Sequence, residues 1–159
     1  MEQNHPKNVL VAVIALQVLV YFTFPLYAQG NVSATYSLRG GQKCISHSQY
    51  AQDEWLLRNH FKENAHTHKG FYVDLGAYAP LEISNTALYD QCFGWSGLCV
   101  DANPYRINGF QASRTCTFIP ACLTTANRTT TTIRNMDFED RIGTGNLQVP
   151  CIPIMTLLR

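Results

Sequence analysis

The chain has 159 residues, 46% of them hydrophobic and 14% charged, and its formal net charge is +1. Without a dense cluster of lysine and arginine, this balance argues against a nucleic-acid partner, because phosphate binding needs a concentrated basic face. The aromatic content of 11% is too high for a disordered chain. Apart from one apolar N-terminal run, the composition is that of a small, neutral, globular domain.

The apolar run, residues 9–28, is twenty residues long and has no ionisable side chain other than tyrosine. A helix of this length measures roughly 30 Å and matches the hydrocarbon core of a bilayer. Lys7 precedes the run and Arg39 is the first positive side chain after it. This asymmetry predicts a transmembrane signal anchor with residues 1–8 as a cytoplasmic tail. A signal peptide cleaved after Gly30 is the alternative.

Both interpretations predict that the rest of the chain lies in the lumen of the ER or Golgi, or outside the cell. If the leader is retained, the protein would be a single-pass type II membrane protein. If the leader is cleaved, the protein would be secreted. Glycosylation sequons begin at Asn31 and Asn127, and Asn127 is favoured because Asn31 would lie close to the membrane. Six cysteines follow the leader and allow 15 disulfide pairings. Cys99, inside an apolar strand pattern, is predicted to be a buried free thiol.

After a polar stalk at residues 29–45, the pattern predicts one domain over residues 46–159. An apolar stripe at helical spacing indicates a helix within residues 48–61, and the polar stretch 63–69 is typical of a loop. Further along, the threonine-rich stretch 124–132 favours an edge strand or an exposed loop.

The centre of the domain alternates between strand and helix patterns. Apolar runs at residues 70–74 and 98–101 each end in an aspartate and predict strands, and a third strand begins at Cys116. Helices are predicted between these strands, over residues 84–93 and 103–113. This alternation is typical of a parallel α/β sheet.

The two aspartates at the strand ends and the glycine turn between them predict a nucleotide-binding half-site. Ligands of open parallel sheets bind beyond the carboxyl ends of the strands, where Asp74 and Asp101 would both face the crevice. The carboxylate of Asp101 can accept hydrogen bonds from ribose hydroxyls, and Gly76 lets the backbone approach a ligand. The turn lacks the G-x-G-x-x-G pattern and contains Pro80, which has no N–H group. It therefore suits phosphate-free S-adenosylmethionine better than a nicotinamide dinucleotide.

Four motifs, in this order, resemble the FkbM-type methyltransferases. They are Ser48-Gln49-x-x-Gln52-Asp53, Phe71-Tyr72-Val73-Asp74-Leu75-Gly76-Ala77, Ser84-Asn85-Thr86 and Gly94-Trp95-Ser96-Gly97-Leu98-Cys99-Val100-Asp101-Ala102-Asn103-Pro104. The resemblance implies an α/β, Rossmann-like class I methyltransferase fold that transfers a methyl group from S-adenosylmethionine to a hydroxyl acceptor, such as a glycan or a small metabolite. It implies cofactor-binding roles for Asp74, Gly76, Ala77, Asp101, Ala102 and Asn103.

The chain also departs from the family pattern. Many members have glutamate at the position of Asp101, which preserves the carboxylate, and a glycine where Ala79 and Pro80 stand. Residues 149–158 resemble the segment that leads into the fourth strand of the family sheet. The parallel sheet is therefore expected to be incomplete, and the chain is interpreted as a fragment or a truncated product. A short, inactive relative is the alternative.

Other residue types predict no catalytic base and no metal site. The histidines at positions 47, 60, 66 and 68 fall outside the predicted crevice and are interpreted as surface or loop residues. The cysteines contain no C-x-x-C spacing for zinc. The expected partners are the membrane, through residues 9–28, and the hydroxyl acceptor. A second class of function stays open, a non-catalytic lumenal domain that keeps the half-fold without activity.

Overall fold

The computed structural model describes residues 35–37, 43–61, 64–125, 129–134, 141–143 and 145–157. The predicted anchor at residues 9–28, most of the predicted stalk and the asparagines of both sequons lie outside this part of the chain. None of the helices in the described ranges combines the length and the apolar character needed to cross a bilayer.

The described residues form short strands and helices in alternation. The first half contains β1 (Thr35–Ser37), β2 (Lys43–Ile45), α1 (Gln52–Leu56), a π-helical turn (Leu57–Phe61), α2 (Asn64–Thr67), β3 (Phe71–Leu75), α3 (Ala87–Phe93) and β4 (Ser96–Asp101). The second half contains a 3-10 turn (Pro104–Arg106), α4 (Ile107–Ser113), β5 (Thr117–Pro120), β6 (Cys122–Thr124), β7 (Thr130–Arg134), β8 (Arg141–Ile142), β9 (Leu147–Pro153) and α5 (Ile154–Leu157).

A parallel three-stranded sheet in the order β3-β4-β5 forms the centre of the fold. Phe71 pairs with Ser96 and Leu98 pairs with Thr117, so the carboxyl ends of the strands meet at one edge. Buried residues follow one another along β3 without alternation, as expected for a strand that is covered on both faces. This sheet confirms the predicted mixed α/β architecture. Its strands begin and end close to the predicted apolar runs.

The helices between these strands begin and end at polar or glycine residues. Ser84 Oγ accepts a hydrogen bond from the backbone N–H of Ala87 at 3.1 Å, ahead of α3. Gly94 ends α3 in the left-handed conformation, with a φ of +64°. The Asn103 side chain caps the 3-10 turn by accepting a backbone N–H bond at 3.1 Å. Both predicted helices are confirmed, although α3 starts later than expected.

In the N-terminal part of the domain, one prediction is confirmed and one is wrong. The helix expected within residues 48–61 is present, and it starts at Gln52, after Ala51 with its left-handed φ of 58°. It then changes to a π-helical turn at Leu57. The stretch 63–69, predicted to be a loop, contains α2. Ala65 of this helix is 1% exposed and packs in the main core, so tertiary packing outweighs the polar local composition.

A second sheet has the order β6-β9-β7-β8, with β6 and β9 parallel and the other pairs antiparallel. Strand β7 lies between β9 and β8, so the prediction of an edge strand or exposed loop at residues 124–132 is wrong for residues 130–132. It agrees with the structure at Thr124, which belongs to the edge strand β6. Strand β7 forms inside the sheet because Thr131 and Ile133, at alternate positions, are buried. The threonine-rich composition does not reveal this pattern. The stretch 149–158 was expected to lead into a fourth parallel strand, and its described residues, 149–157, contribute to β9 and α5 instead.

Three disulfides link Cys44 with Cys92, Cys99 with Cys116 and Cys122 with Cys151. The prediction of a free thiol at Cys99 is wrong, because the parallel pairing of β4 with β5 brings the Cα atoms of Cys99 and Cys116 to 5.9 Å. Disulfides persist in oxidising compartments. The set therefore supports a lumenal or extracellular environment for the domain, in agreement with the coarse prediction.

The main core packs aromatic side chains against the parallel sheet. Trp95 is 3% exposed and stacks on Tyr89, with 4.9 Å between ring centroids. Phe61 meets the Trp95 ring edge-on at 4.9 Å, so the π-helical turn is held to the sheet by aromatic contacts. Trp95 thus has a packing role in this structure.

Replacing Gly97 with alanine is expected to lower the free energy of unfolding by about 1–3 kcal/mol. Gly97 pairs with Tyr72 across the sheet, and a Cβ at this position would overlap the Tyr72 ring. The ring cannot retreat, because it is completely buried and its hydroxyl donates to Asp90 at 2.6 Å. Chemical denaturation of the full chain measures the loss. Gly109→Ala is the control, since its Cβ would meet Pro80 at an ordinary 3.5 Å; equal stabilities of the two variants would contradict the argument.

Candidate functional site

Asp74 and Asp101 lie at the carboxyl end of the parallel sheet and on the same face of it. Asp74 is opposite Cys99 in the register of β3 and β4, and Asp101 follows Cys99 by two residues. Burial is the main cause that raises the pKa of Asp74, and the negative charge of Asp101 adds to it. The structure therefore brings the two aspartates close together at this edge of the sheet.

Strand β3 ends in a turn at Gly76, whose φ of +72° favours glycine. The backbone N–H groups of Gly76 and Ala77 both donate to the carbonyl oxygen of Val100, at 2.9 and 3.0 Å. A Cβ added at Gly76 would meet nothing within 4 Å. Backbone conformation therefore explains the glycine within the protein itself, and the open space beside it is available to a ligand.

Backbone amides on two turns orient the carboxylate of Asp101. Oδ2 accepts a hydrogen bond from the N–H of Tyr78 at 2.9 Å, and Oδ1 accepts one from the N–H of Asn103 at 2.9 Å. Asp101 is 9% exposed as a result. These bonds join the turn after β3 to the turn after β4 through a single side chain.

Arg106, from the 3-10 turn, lies against this carboxylate. Its Nε is 3.4 Å from Asp101 Oδ1, and its Nη1 donates to the carbonyl oxygen of Tyr78 at 2.7 Å. Its guanidinium carbon is 4.2 Å from the centroid of the Tyr78 ring. Tyr78 has a φ of 49°, which is uncommon for a residue other than glycine. Sequence reasoning selected neither residue, because nothing in the pattern links two positions that meet only through folding.

Asp74 is turned into the protein. It is 5% exposed, and its Oδ2 accepts a hydrogen bond from the Thr86 hydroxyl at 2.6 Å. Burial raises the pKa of Asp74, while the Thr86 bond and the positive charge of Arg114 act in the opposite direction. In this structure Asp74 connects β3 to the loop that precedes α3, and it supports the shape of that loop.

The side chain of Arg114 forms a buried ion pair below the same loop. Its Nε donates to Asp90 Oδ2 at 2.7 Å, with side-chain exposures of 0% and 1%. Its Nη1 donates to the Pro80 carbonyl oxygen and its Nη2 to Thr86 Oγ1, each at 2.7 Å. Burial alone would raise the pKa of Asp90, but hydrogen bonds led by those from Tyr72 and Arg114 outweigh burial and hold it below its ordinary value. Arg114 therefore fixes the loop between β3 and α3.

The first of the four motifs forms a second polar cluster next to this loop. Gln52 donates its backbone N–H to Ser48 Oγ at 2.9 Å, and Ser48 Oγ lies 2.7 Å from Asn85 Oδ1. Ser46 Oγ donates to Asp53 Oδ1 at 2.8 Å. Asp53 is completely buried, and burial raises its pKa from 3.8 to about 6. These hydrogen bonds join the start of α1 to the loop before α3.

Asparagine in place of Asp53 is expected to remove one part of the pH dependence of stability. The pKa of Asp53 is about 6 in the folded protein, compared with 3.8 in the unfolded chain. The stability that the neutral Asp53 side chain contributes is therefore fully present below pH 3.8 and is lost as the pH rises through 6. A shift of this size corresponds to about 3 kcal/mol. Between about pH 4 and about pH 7.5, the unfolding free energy of the full chain should fall relative to that of Asp53→Asn. Parallel pH profiles would contradict this assignment.

The remaining candidates have structural contacts or lie apart. Ala102 packs against the core of the second sheet, and Asn103 caps the 3-10 turn. His60 contacts the Trp55 ring at 5.1 Å between centroids, and both histidines at 60 and 68 are exposed. Within the described ranges there is no group of three or more side chains that could bind a metal ion.

No protein-family model matches the chain, and no curated protein and no solved structure matches it either. The arrangement around Asp74 and Asp101 is therefore the basis on which a function is proposed. Sequence reasoning identified these two aspartates and Gly76, but it missed Tyr78, Arg106 and Arg114. No local sequence pattern pointed to these three residues, because their partners lie far along the chain.

Proposed function

We propose that the protein is an S-adenosylmethionine-dependent methyltransferase of the FkbM type that acts on a hydroxyl group of a glycan or a small metabolite. The proposal rests on one observation. At the carboxyl edge of a parallel sheet, the Asp101 carboxylate accepts a hydrogen bond from the N–H of Tyr78, in the turn that begins at Gly76. Ligands of open parallel sheets bind at this edge. The residues assigned to the cofactor are Asp74, Gly76 and Ala77 in the first loop, Asp101 at the ribose, and Ala102 and Asn103 beside the adenosine.

The turn after β3 favours S-adenosylmethionine over a phosphate-bearing dinucleotide. The N–H groups of Gly76 and Ala77 donate to Val100, so they are not directed at a phosphate. Pro80 has no N–H, and its carbonyl oxygen accepts from Arg114. A pyrophosphate needs such donors, whereas ribose hydroxyls are themselves donors and match the acceptor carboxylate of Asp101.

The proposed reaction is a displacement at carbon. The acceptor oxygen attacks the methyl carbon, the bond between this carbon and sulfur breaks, and the electron pair returns to sulfur to give S-adenosylhomocysteine. The acceptor hydroxyl loses its proton to a general base or to water. Alignment of acceptor and sulfonium supplies much of the rate. The contribution of the residues named here is to orient the adenosine, so that the methyl group has a fixed position.

Titration of the full chain, purified in detergent, with S-adenosylmethionine tests the proposal by calorimetry. Asp101→Ala should weaken binding by about 10- to 100-fold, because hydrogen bonds from the ribose to a charged group are lost. Glu82→Ala is the matched control, since this acid is exposed on the loop between β3 and α3 and the variant should bind as the wild type does. Equal affinities of the Asp101 and Glu82 variants would exclude Asp101 as the ribose acceptor.

A second candidate is a non-catalytic, disulfide-bearing domain. This candidate is favoured because the Asp101 carboxylate accepts hydrogen bonds from the backbone N–H groups of Tyr78 and Asn103. These bonds explain an acid at the end of β4 without any ligand. The same titration separates the two functions. No heat from the wild-type chain with S-adenosylmethionine would favour the non-catalytic domain.

For the location, we propose a type II membrane protein anchored by residues 9–28, with the domain in the ER or Golgi lumen or outside the cell. The three disulfides support the oxidising side of the membrane. Both the cofactor and the hydroxyl acceptor must then be present on that side. A smaller mature chain on immunoblots would instead favour the cleaved, secreted form.

A further inference from the structure

One cation at the candidate site has no part in the proposed reaction. Arg106 touches the carboxylate of Asp101 at 3.4 Å and bonds the backbone oxygen of Tyr78 at 2.7 Å. The side chains of Arg106 and Asp101 are only 15% and 10% exposed, so this contact is largely shielded from water. Screening by solvent is weaker for such a pair than for one on the open surface.

We propose that Arg106 sets the affinity of this site, because it is an internal cation that a nucleoside must displace to reach Asp101. The inference rests on the proposed function, since it takes Asp101 as the acceptor for the ribose hydroxyls. The amide donors of Tyr78 and Asn103 belong to the backbone of two turns and remain in place. The Arg106 side chain is the group at this carboxylate that can rotate away.

Tyr78 contacts both members of this ion pair, through its backbone and through its ring. The Tyr78 N–H donates to Asp101, and the Tyr78 carbonyl oxygen accepts from Arg106. The Arg106 guanidinium also lies over the Tyr78 ring. The left-handed φ of 49° at Tyr78 is a backbone conformation that persists only where surrounding contacts impose it. Withdrawal of Arg106 removes its contacts with the Tyr78 carbonyl oxygen and ring, while the Tyr78 N–H still donates to Asp101. Arg106 is therefore the part of this arrangement that leaves, and the Tyr78 backbone stays.

Removal of Arg106 should change the stability of the ligand-free protein and its affinity for a nucleoside in opposite directions. Without Arg106, the charge of Asp101 keeps two amide donors and loses its nearby cation, so the ligand-free protein becomes less stable. The ribose hydroxyls then gain more from binding to Asp101, because they no longer compete with an ion pair. Removal of Arg106 should therefore strengthen nucleoside binding while it weakens the empty protein.

Calorimetric titration of the full chain with S-adenosylmethionine, and separately with adenosine, tests this inference. Arg106→Met should bind both ligands about tenfold more tightly than the wild type. Arg106→Lys should fall between the two, because an ammonium keeps the charge without the planar fork that reaches Tyr78. Arg134→Met, an exposed charge at the end of β7, should change neither affinity.

Each outcome decides the question. Tighter binding by Arg106→Met, with Arg134→Met unchanged, supports the inference. Equal or weaker binding by Arg106→Met overturns it and leaves the proposed function intact. Absence of binding by every variant and by the wild type overturns the proposed function, and this inference with it. Should Arg106→Met fail to fold, Arg106→Lys carries the same decision through its smaller shift.

Discussion

Methionine in place of Arg114 is expected to destabilise the protein by about 3–5 kcal/mol, because it leaves the buried carboxylate of Asp90 without its cation. The pair is completely shielded, with Nε and Oδ2 at 2.7 Å. The substitution also removes the donors to the Pro80 carbonyl oxygen and to Thr86 Oγ1. The loop between β3 and α3 therefore loses its attachment together with the ion pair.

Chemical denaturation of the full chain at neutral pH measures this loss. The control is Arg58→Met, whose side chain is 68% exposed and lies 3.9 Å from Glu54. Exposed pairs of this kind contribute about 0–1 kcal/mol. A comparable loss in the two variants would contradict the buried role of Arg114. Near-wild-type stability of Arg114→Met would contradict it as well.

Removing the disulfide between Cys44 and Cys92 is expected to cost about 4 kcal/mol in the double alanine variant. The bond spans a sequence separation of 48, the longest of the three bonds described here, and joins β2 to the main core beside α3. Cross-linking residues far apart removes more conformational entropy from the unfolded chain than linking near neighbours does.

The matched comparison is the double alanine variant of Cys99 and Cys116, with a separation of 17, for which the same relation gives about 3 kcal/mol. Both losses appear in thermal and denaturant unfolding of the oxidised full chain. A wild-type transition for the Cys44 and Cys92 variant would mean that β2 is held by packing alone.

The central sheet could be predicted because its signals are local. The apolar runs that became β3 and β4 are bounded by glycine and end in aspartate, and the alternation with helices fixes a parallel arrangement. Asp74 and Asp101 followed from the same rule, since parallel strands end at a common edge. These predictions needed no information about distant contacts.

The second sheet and the arginines could not be predicted, because their partners come from far along the chain. Strand β7 is mostly threonine, and only pairing with β9 and β8 makes it an inner strand. Arg114 meets Asp90 and Pro80 through the fold rather than through spacing. Cys99 was assigned as a free thiol because its pairing depends on the register of β4 with β5.

Hydrogen exchange of the full chain, with and without S-adenosylmethionine, reports where a ligand binds and therefore tests whether adenosine is bound at Asp101. We expect slower exchange of the backbone amides in the turn after β3, at residues 76–82, and in the turn after β4, at residues 101–107. Strands β7 and β9 should exchange at unchanged rates. Slower exchange confined to the second sheet, or no change anywhere at saturating ligand, would contradict an adenosine site built on Asp101.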